Sequence, residues 1–132
     1  MKITYLGICD LASVTREGKL NLMGIFRQIF VQKLPTNYLK FTIVAIVAGK
    51  ENSQEQISIA IISPDQKTII NQQLKLQIGP AGTANMFFDV VNLPIQQTGE
   101  YQIRILQTDA TLGETTLNIL KVKPQEKPQS VN

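Results

Sequence analysis

Two carboxylates interrupt apolar stretches of this chain: Asp10 follows Ile8-Cys9, and Asp89 lies between Phe88 and Val90. Two acids on neighbouring strands could work together as general acid and base. A simpler reading weighs more: each sits on a solvated face or bonds turn backbone, as strand acids usually do. Asp65 and Asp109 fall in turns, where local hydrogen bonding accounts for them. Cys9 lies in an apolar segment and reads as a small buried hydrophobe. No His and no basic neighbour stands beside it to hold a thiolate.

The chain has no His at all. That removes the usual general base near neutral pH, every Ser-His-Asp or Cys-His arrangement, and the commonest metal ligand. A single Cys excludes an internal disulfide and a structural zinc site. No loop carries Asp at the alternating positions that calcium needs, and no glycine-rich phosphate loop occurs. With no Trp and three Tyr, an aromatic platform for sugars or single-stranded nucleic acid has little to be built from. The expectation is a protein that is not an enzyme and holds no metal or cofactor.

Binding residues are therefore sought among exposed polar groups. Four stand out as interaction candidates: Asp10, Asn21, Arg27 and Tyr38. Asn21 sits between Leu20 and Leu22 beside Lys19 and could bond a partner's backbone, although facing water or pairing across a hairpin is its commoner role. Arg27 and Arg104 are of the type favoured at interfaces, against the plainer alternative of a solvated strand face. Tyr38 lies in the Lys33-Leu34-Pro35-Thr36-Asn37-Tyr38 loop.

The elements that must position these residues are strands. Ile3 to Leu11 is apolar and β-rich. Ser13 to Gly18 makes a turn, and Lys19 to Phe26 alternates, with Leu20, Leu22, Gly24 and Phe26 on one face and Lys19, Asn21 and Met23 on the other. The two segments read as a hairpin. Arg27 to Val31 is expected to continue the second strand past a bulge, for which Gly24 is the candidate. Phe41 to Ala48 is apolar on both faces, as a central strand is. Gln56 to Ile62, Thr68 to Ile78 and Met86 to Leu93 follow, separated by turns at Gly49 to Ser53, Ser63 to Gln66 and Gly79 to Thr83. Pro94 to Gly99 leads into Tyr101, Ile103 and Ile105, which share one face. This has the look of a Tyr at the corner of a β-sandwich, its ring in the core and its hydroxyl on nearby backbone. A reversal at Thr108 to Thr111 precedes a last strand, Leu112 to Val122, with a bulge signal at Gly113.

No window carries the i, i+3, i+4 pattern with caps that a helix requires. The expected fold is all-β: an antiparallel two-sheet sandwich of Ig-like, Greek-key type with about eight strands. Residues 1–122 form the domain. Residues 123–132, with two prolines and little to bury, form a flexible C-terminal tail.

Composition agrees with a single domain. A chain of 132 residues buries roughly two thirds of its unfolded surface and needs no staple. The charged fraction is 17% against about 25% in ordinary domains. Glutamines (Gln28, Gln32, Gln54, Gln56, Gln72, Gln73, Gln77, Gln102 and Gln107) occupy positions where charge would otherwise stand. Such a surface repels its own copies weakly, which favours an oligomer. The net charge of +3 comes from scattered lysines, not the clustered footprint of a nucleic-acid binder. No segment reads as a signal peptide or membrane helix, so a cytoplasmic location is expected, with no membrane partner.

The hairpin Cys9-Asp10 with Gly18-Lys19-Leu20-Asn21-Leu22-Met23-Gly24-Ile25-Phe26, the Pro64-Asp65 turn and the Pro94 to Tyr101 segment resemble a family of small, uncharacterised bacterial β-sandwich proteins. The resemblance runs from Ile3 to Val122. It implies the fold and a bacterial cytoplasmic setting, and carries no activity or site residue. The leading functional expectation is a non-catalytic module that binds a protein partner or its own copies, for instance by sheet extension at an exposed edge. The alternative is a module for a carbohydrate-like small ligand, held by loops around Tyr38 and Gly79 to Asn85; it requires an exposed Tyr38. An enzyme built on Asp10 and Asp89 ranks third.

Overall fold

The computed structural model describes residues 1–123; the expected tail beyond Lys123 lies outside the described residues. The described residues form nine strands: β1 (Lys2–Val14), β2 (Leu20–Ile25), β3 (Gln28–Val31), β4 (Thr36–Ala48), β5 (Gln54–Ile62), β6 (Thr68–Gln77), β7 (Thr83–Ile95), β8 (Gly99–Gln107) and β9 (Ala110–Lys121). There is no helix among the described residues. One sheet has the order β2-β1-β4-β7 and the other β3-β9-β8-β5-β6. The five-stranded sheet curls into a half-barrel.

Period-2 alternation sends one set of side chains from each sheet into a shared core. Ile8, Phe41, Ile43, Ala45, Val47, Met86 and Val90 come from the four-stranded sheet. Ile57, Ile59, Ile61, Ile103, Ile105, Leu117 and Ile119 come from the five-stranded one. β4 is buried along most of its length, because it runs inside its sheet between β1 and β7. This is what the doubly apolar run Phe41 to Ala48 predicts.

Most of the hairpin expectations hold. β1 pairs antiparallel with β2, Val14 opposite Leu20 and Cys9 opposite Ile25. The register runs without a slip past Gly24, so no bulge occurs there. Gly24 is instead a close-approach glycine. Its φ is +71°, and a Cβ would lie 2.5 Å from Asp10 Oδ2. The predicted bulge near Gly113 is present: β8 and β9 slip between Ile105, which faces Gly113, and Leu106, which faces Thr111.

Arg27 to Val31 corrects the sequence reading. β3 does not prolong β2. It joins the other sheet and pairs in parallel with β9, Gln28 opposite Asn118 and Val31 opposite Lys121. The reason lies in Phe26, whose amide still donates to Ile8 O while its ring turns onto Phe41 and Tyr38. With that ring against the core, the chain crosses over. The Arg27 carbonyl then accepts from Asn118 N, and Ile29 and Val31 bury from the far side. The split adds a ninth strand to the expected eight. The Lys33 to Tyr38 loop is also shorter than its polar look suggests, since pairing with β7 begins at Thr36, opposite Ile95.

The corner between β7 and β8 matches its sequence signature. Tyr101 is 1% exposed, and its hydroxyl donates to Gln97 O at 2.7 Å. Gly99 (φ +129°) passes close to Pro64, whose Cγ would stand 2.9 Å from a Cβ there. The Tyr101→Phe substitution keeps the ring and deletes the bond, so unfolding free energy should fall by about 1–2 kcal/mol. Urea titration checks this as a lower midpoint with an unchanged slope.

Candidate interaction surface

The pairing registers fix which residues share a face, because directly opposed residues on adjacent strands project to the same side. Ile25 faces Cys9, Cys9 faces Thr42, and Thr42 faces Asp89. These four form a row across all four strands, on the side away from the core residues Ile8 and Ile43. Gly7, Val44 and Phe87 form the next row. Leu11 with Met23, and Lys40 with Val91, extend the same face in the other direction.

This outer face is apolar. Leu11 is 52% exposed, Met23 62%, Ile25 60%, Phe87 39% and Val91 61%. Between them Cys9, Val44 and Thr42 are buried, although they point away from the core. Tyr5 contributes to this cover: its ring lies over Gly7, with the hydroxyl oxygen 2.5 Å from where a Cβ would stand. Exposed apolar side chains gathered on one plane, unlike single scattered ones, mark interaction sites on soluble proteins.

The outer face of the five-stranded sheet is largely polar, except at its β3 edge, where Phe30 (59% exposed) stands opposite Leu120 (40%). Arg104 lies between Ala60 and Glu114, and its Nε bonds Glu114 Oε1 at 3.1 Å. Thr116 faces Gln102, and Gln56 bonds Gln73 across β5 and β6 at 3.0 Å. The glutamines stand where charge was expected, and seven of the nine are exposed.

The four candidate residues do not form one site. Asn21 is exposed on the apolar face, opposite Ser13. Asp10 follows outward-facing Cys9 and so points to the other side of the sheet, at Gly24. There its charge, after burial, helps push the Tyr38 hydroxyl above its ordinary pKa. Tyr38 is half-buried, with its ring 6.2 Å from Phe26 and 6.0 Å from Phe41. One side of it packs against the core, and the residue also lines an open groove of about 440 Å³ with Phe30, Gln32, Lys33 and Asn37. Arg27 is exposed beyond β2, lining an open groove of about 530 Å³ with Phe26, Thr116 and Asn118.

Asp89 is on the outer face, where Thr42 Oγ1 donates to its Oδ1 at 2.8 Å. The two carboxylates thus occupy opposite faces of one sheet with β4 between them. The cleft at the Tyr101 corner, lined by Ser63, Asp65, Lys67, Pro94 and Gln97, holds only about 120 Å³, below the roughly 300 Å³ of small-molecule sites. Asp65 there is held below the usual carboxylate range, first by its hydrogen bond from Ser63. No group of three or more His, Cys, Asp or Glu that could hold a metal occurs among the described residues.

Burial raises the pKa of the Cys9 thiol against the lowering effect of a backbone hydrogen bond at Leu11, and the charges of Asp10 and Asp89 add smaller increases. Burial likewise raises those of Tyr38 and Tyr101. A raised pKa in the folded state means the native protein keeps protons that the unfolded chain has lost. Stability from these groups is therefore full below the unfolded values and declines as pH rises through about 8.5 for Cys and about 10 for Tyr. In Cys9→Ala the first part of that decline should disappear, as read by chemical denaturation between pH 7 and 10. Gly24→Ala should cost about 1–3 kcal/mol through its backbone conformation together with the Asp10 contact. An Asp10→Ala background should recover part of that loss in a double-mutant cycle.

Residues 4–120 match the model of a family of unknown function (DUF6941). No curated protein matches the chain. Among solved structures, an immunoglobulin-like protein from Pseudomonas aeruginosa is similar at 14% identity and a TM-score of 0.50, over 89% of this chain and 94% of that one. That likeness concerns the fold. A β-glucosidase from Listeria innocua in complex with isofagomine (7% identity, TM-score 0.48) is covered over 16% of its own length, with 90% of this chain aligned. An alkylpurine DNA glycosylase from Pseudomonas fluorescens, bound to DNA containing an abasic site analog (10%, TM-score 0.46), is covered over 30%, with 87% of this chain aligned. Among the described residues no helix is long and apolar enough to cross a membrane.

Proposed function

The chain belongs to DUF6941, a family of unknown function, and from that premise we propose that it is a non-catalytic protein-interaction or assembly module. The observation that carries this reading is the asymmetry of the two outer faces. Leu11, Met23, Ile25, Phe87 and Val91 stand out on one, while the other is polar around the Arg104–Glu114 ion pair and apolar only at its β3 edge, at Phe30 and Leu120. Leaving apolar surface of this extent in water is unfavourable at roughly 25 cal/mol per Å². Covering it with another protein recovers that free energy. The contact is face to face, not the edge-to-edge sheet extension that the sequence suggests first.

The scaffold fits an Ig-like sandwich of Greek-key type. The pair β4-β7 and the order β9-β8-β5-β6 correspond to strands B-E and G-F-C-C′ of the variable-type domain, with Tyr101 at the start of strand F. A bacterial cytoplasmic setting goes with the same reading. Small-ligand binding ranks lower because the Tyr38 ring is occupied by Phe26 and Phe41.

Met23→Lys and Val91→Lys place charge on the apolar face without touching the core. Each should leave the thermal melt nearly unchanged and weaken association tenfold or more, about 1.4 kcal/mol or above. Gln73→Lys, on the polar face, should do neither. The measurement is retention of binding partners or self-association by the immobilised full-length protein, with stoichiometry by mass. Equal binding by all three variants would defeat the proposal.

A further inference from the structure

Resting on that reading, we infer that the occupant of the apolar face is a second copy of this chain, docked face to face about a two-fold axis. Lys40 of one protomer then meets Asp89 of its partner, twice. Lys40 and Asp89 are the two charged residues among the rows that make up the face. Both are exposed, and neither takes part in an ion pair among the described residues. They lie one row apart on β4 and β7, since Lys40 faces Val91 and Asp89 faces Thr42.

Asp89 is also pre-aimed. Its Oδ1 accepts the Thr42 hydroxyl, which fixes the carboxylate on its strand and leaves Oδ2 for an incoming cation. A two-fold contact brings the same patch to both sides, so a patch with one cation and one anion set apart can complement itself. An unrelated partner would have to match both charges and the apolar side chains around them. Four strands at about 4.8 Å and five residues at about 3.4 Å, the span of these rows, give roughly 330 Å² in flat outline, the scale of a small interface. A net charge of only +3 opposes the approach of two copies weakly.

The test uses charge reversal in the full chain, read by sedimentation velocity and native mass spectrometry. The wild type should be a dimer. Lys40→Glu and Asp89→Lys should each raise the dimer dissociation constant at least about tenfold, with melting curves showing that both remain folded. Mixing the two single variants should give a heterodimer of the summed mass, because each then supplies the charge the other lacks. If Asp89→Lys fails to fold, Lys40→Glu/Asp89→Asn serves instead and should dimerise more tightly than Lys40→Glu alone. A dimer indifferent to both reversals overturns the pairing, as does a mixture that stays monomeric. A monomeric wild type that keeps another protein, lost on Met23→Lys, overturns the second copy and leaves the interaction module standing. A monomeric wild type that retains nothing overturns both.

Discussion

The bond from the Tyr101 hydroxyl to the Gln97 carbonyl fixes where the chain leaves one sheet and enters the other. It joins the end of β7 to the start of β8 across a four-residue step. The ring between them is wholly buried, so the crossing is anchored in the core and not in solvent. Gly99 permits the tight passage over Pro64. Once this corner is set, β8 can lie between β9 and β5. Ile103 and Ile105 then face the same core that β4 and β7 fill from the other side. Buried polar groups are tolerated only when bonded. This one is bonded, and no buried side-chain polar atom is left without a partner among the described residues.

Much of this was legible in the residues themselves. Ile57, Ile59 and Ile61 recur at every second position and are buried as read. Tyr101 announces itself through the proline, the glycine and the apolar alternation after it. The β3 crossover was not legible, because Phe26 continues the alternation of Leu20, Leu22 and Gly24 without a break. Only the aromatic contacts with Tyr38 and Phe41 reveal that the chain turns there.

The apolar outer face was hidden for a related reason. In β1, residues of both parities are apolar, so the sequence does not say which set is the core. Cys9, Leu11, Met23 and Ile25 are split among two strands of a hairpin. They come together with Phe87 and Val91 only through the registers of three separate pairings. The candidates chosen for polarity suffered the converse fate. Asp10 turns to Gly24, within electrostatic reach of Tyr38, Arg27 is carried to the far sheet, and only Asn21 shares the apolar face. Polar type drew attention to them, and it is apolar arrangement that distinguishes this molecule's surface.

The parallel pairing of β3 with β9 gives the fold a direction in time. The paired residues lie about 90 positions apart in sequence, Gln28 opposite Asn118, so their contact is of high order, and such contacts form late. During synthesis the hairpin of β1 and β2 emerges first and can close at once. Ile29 and Val31 must wait for Leu117 and Ile119, which are among the last core residues made. Until then the five-stranded sheet lacks an edge, and the core stays open on the side that β3 will cover. The final strand therefore acts as the latch of the domain, and a chain cut before it would leave both sheets unable to seal.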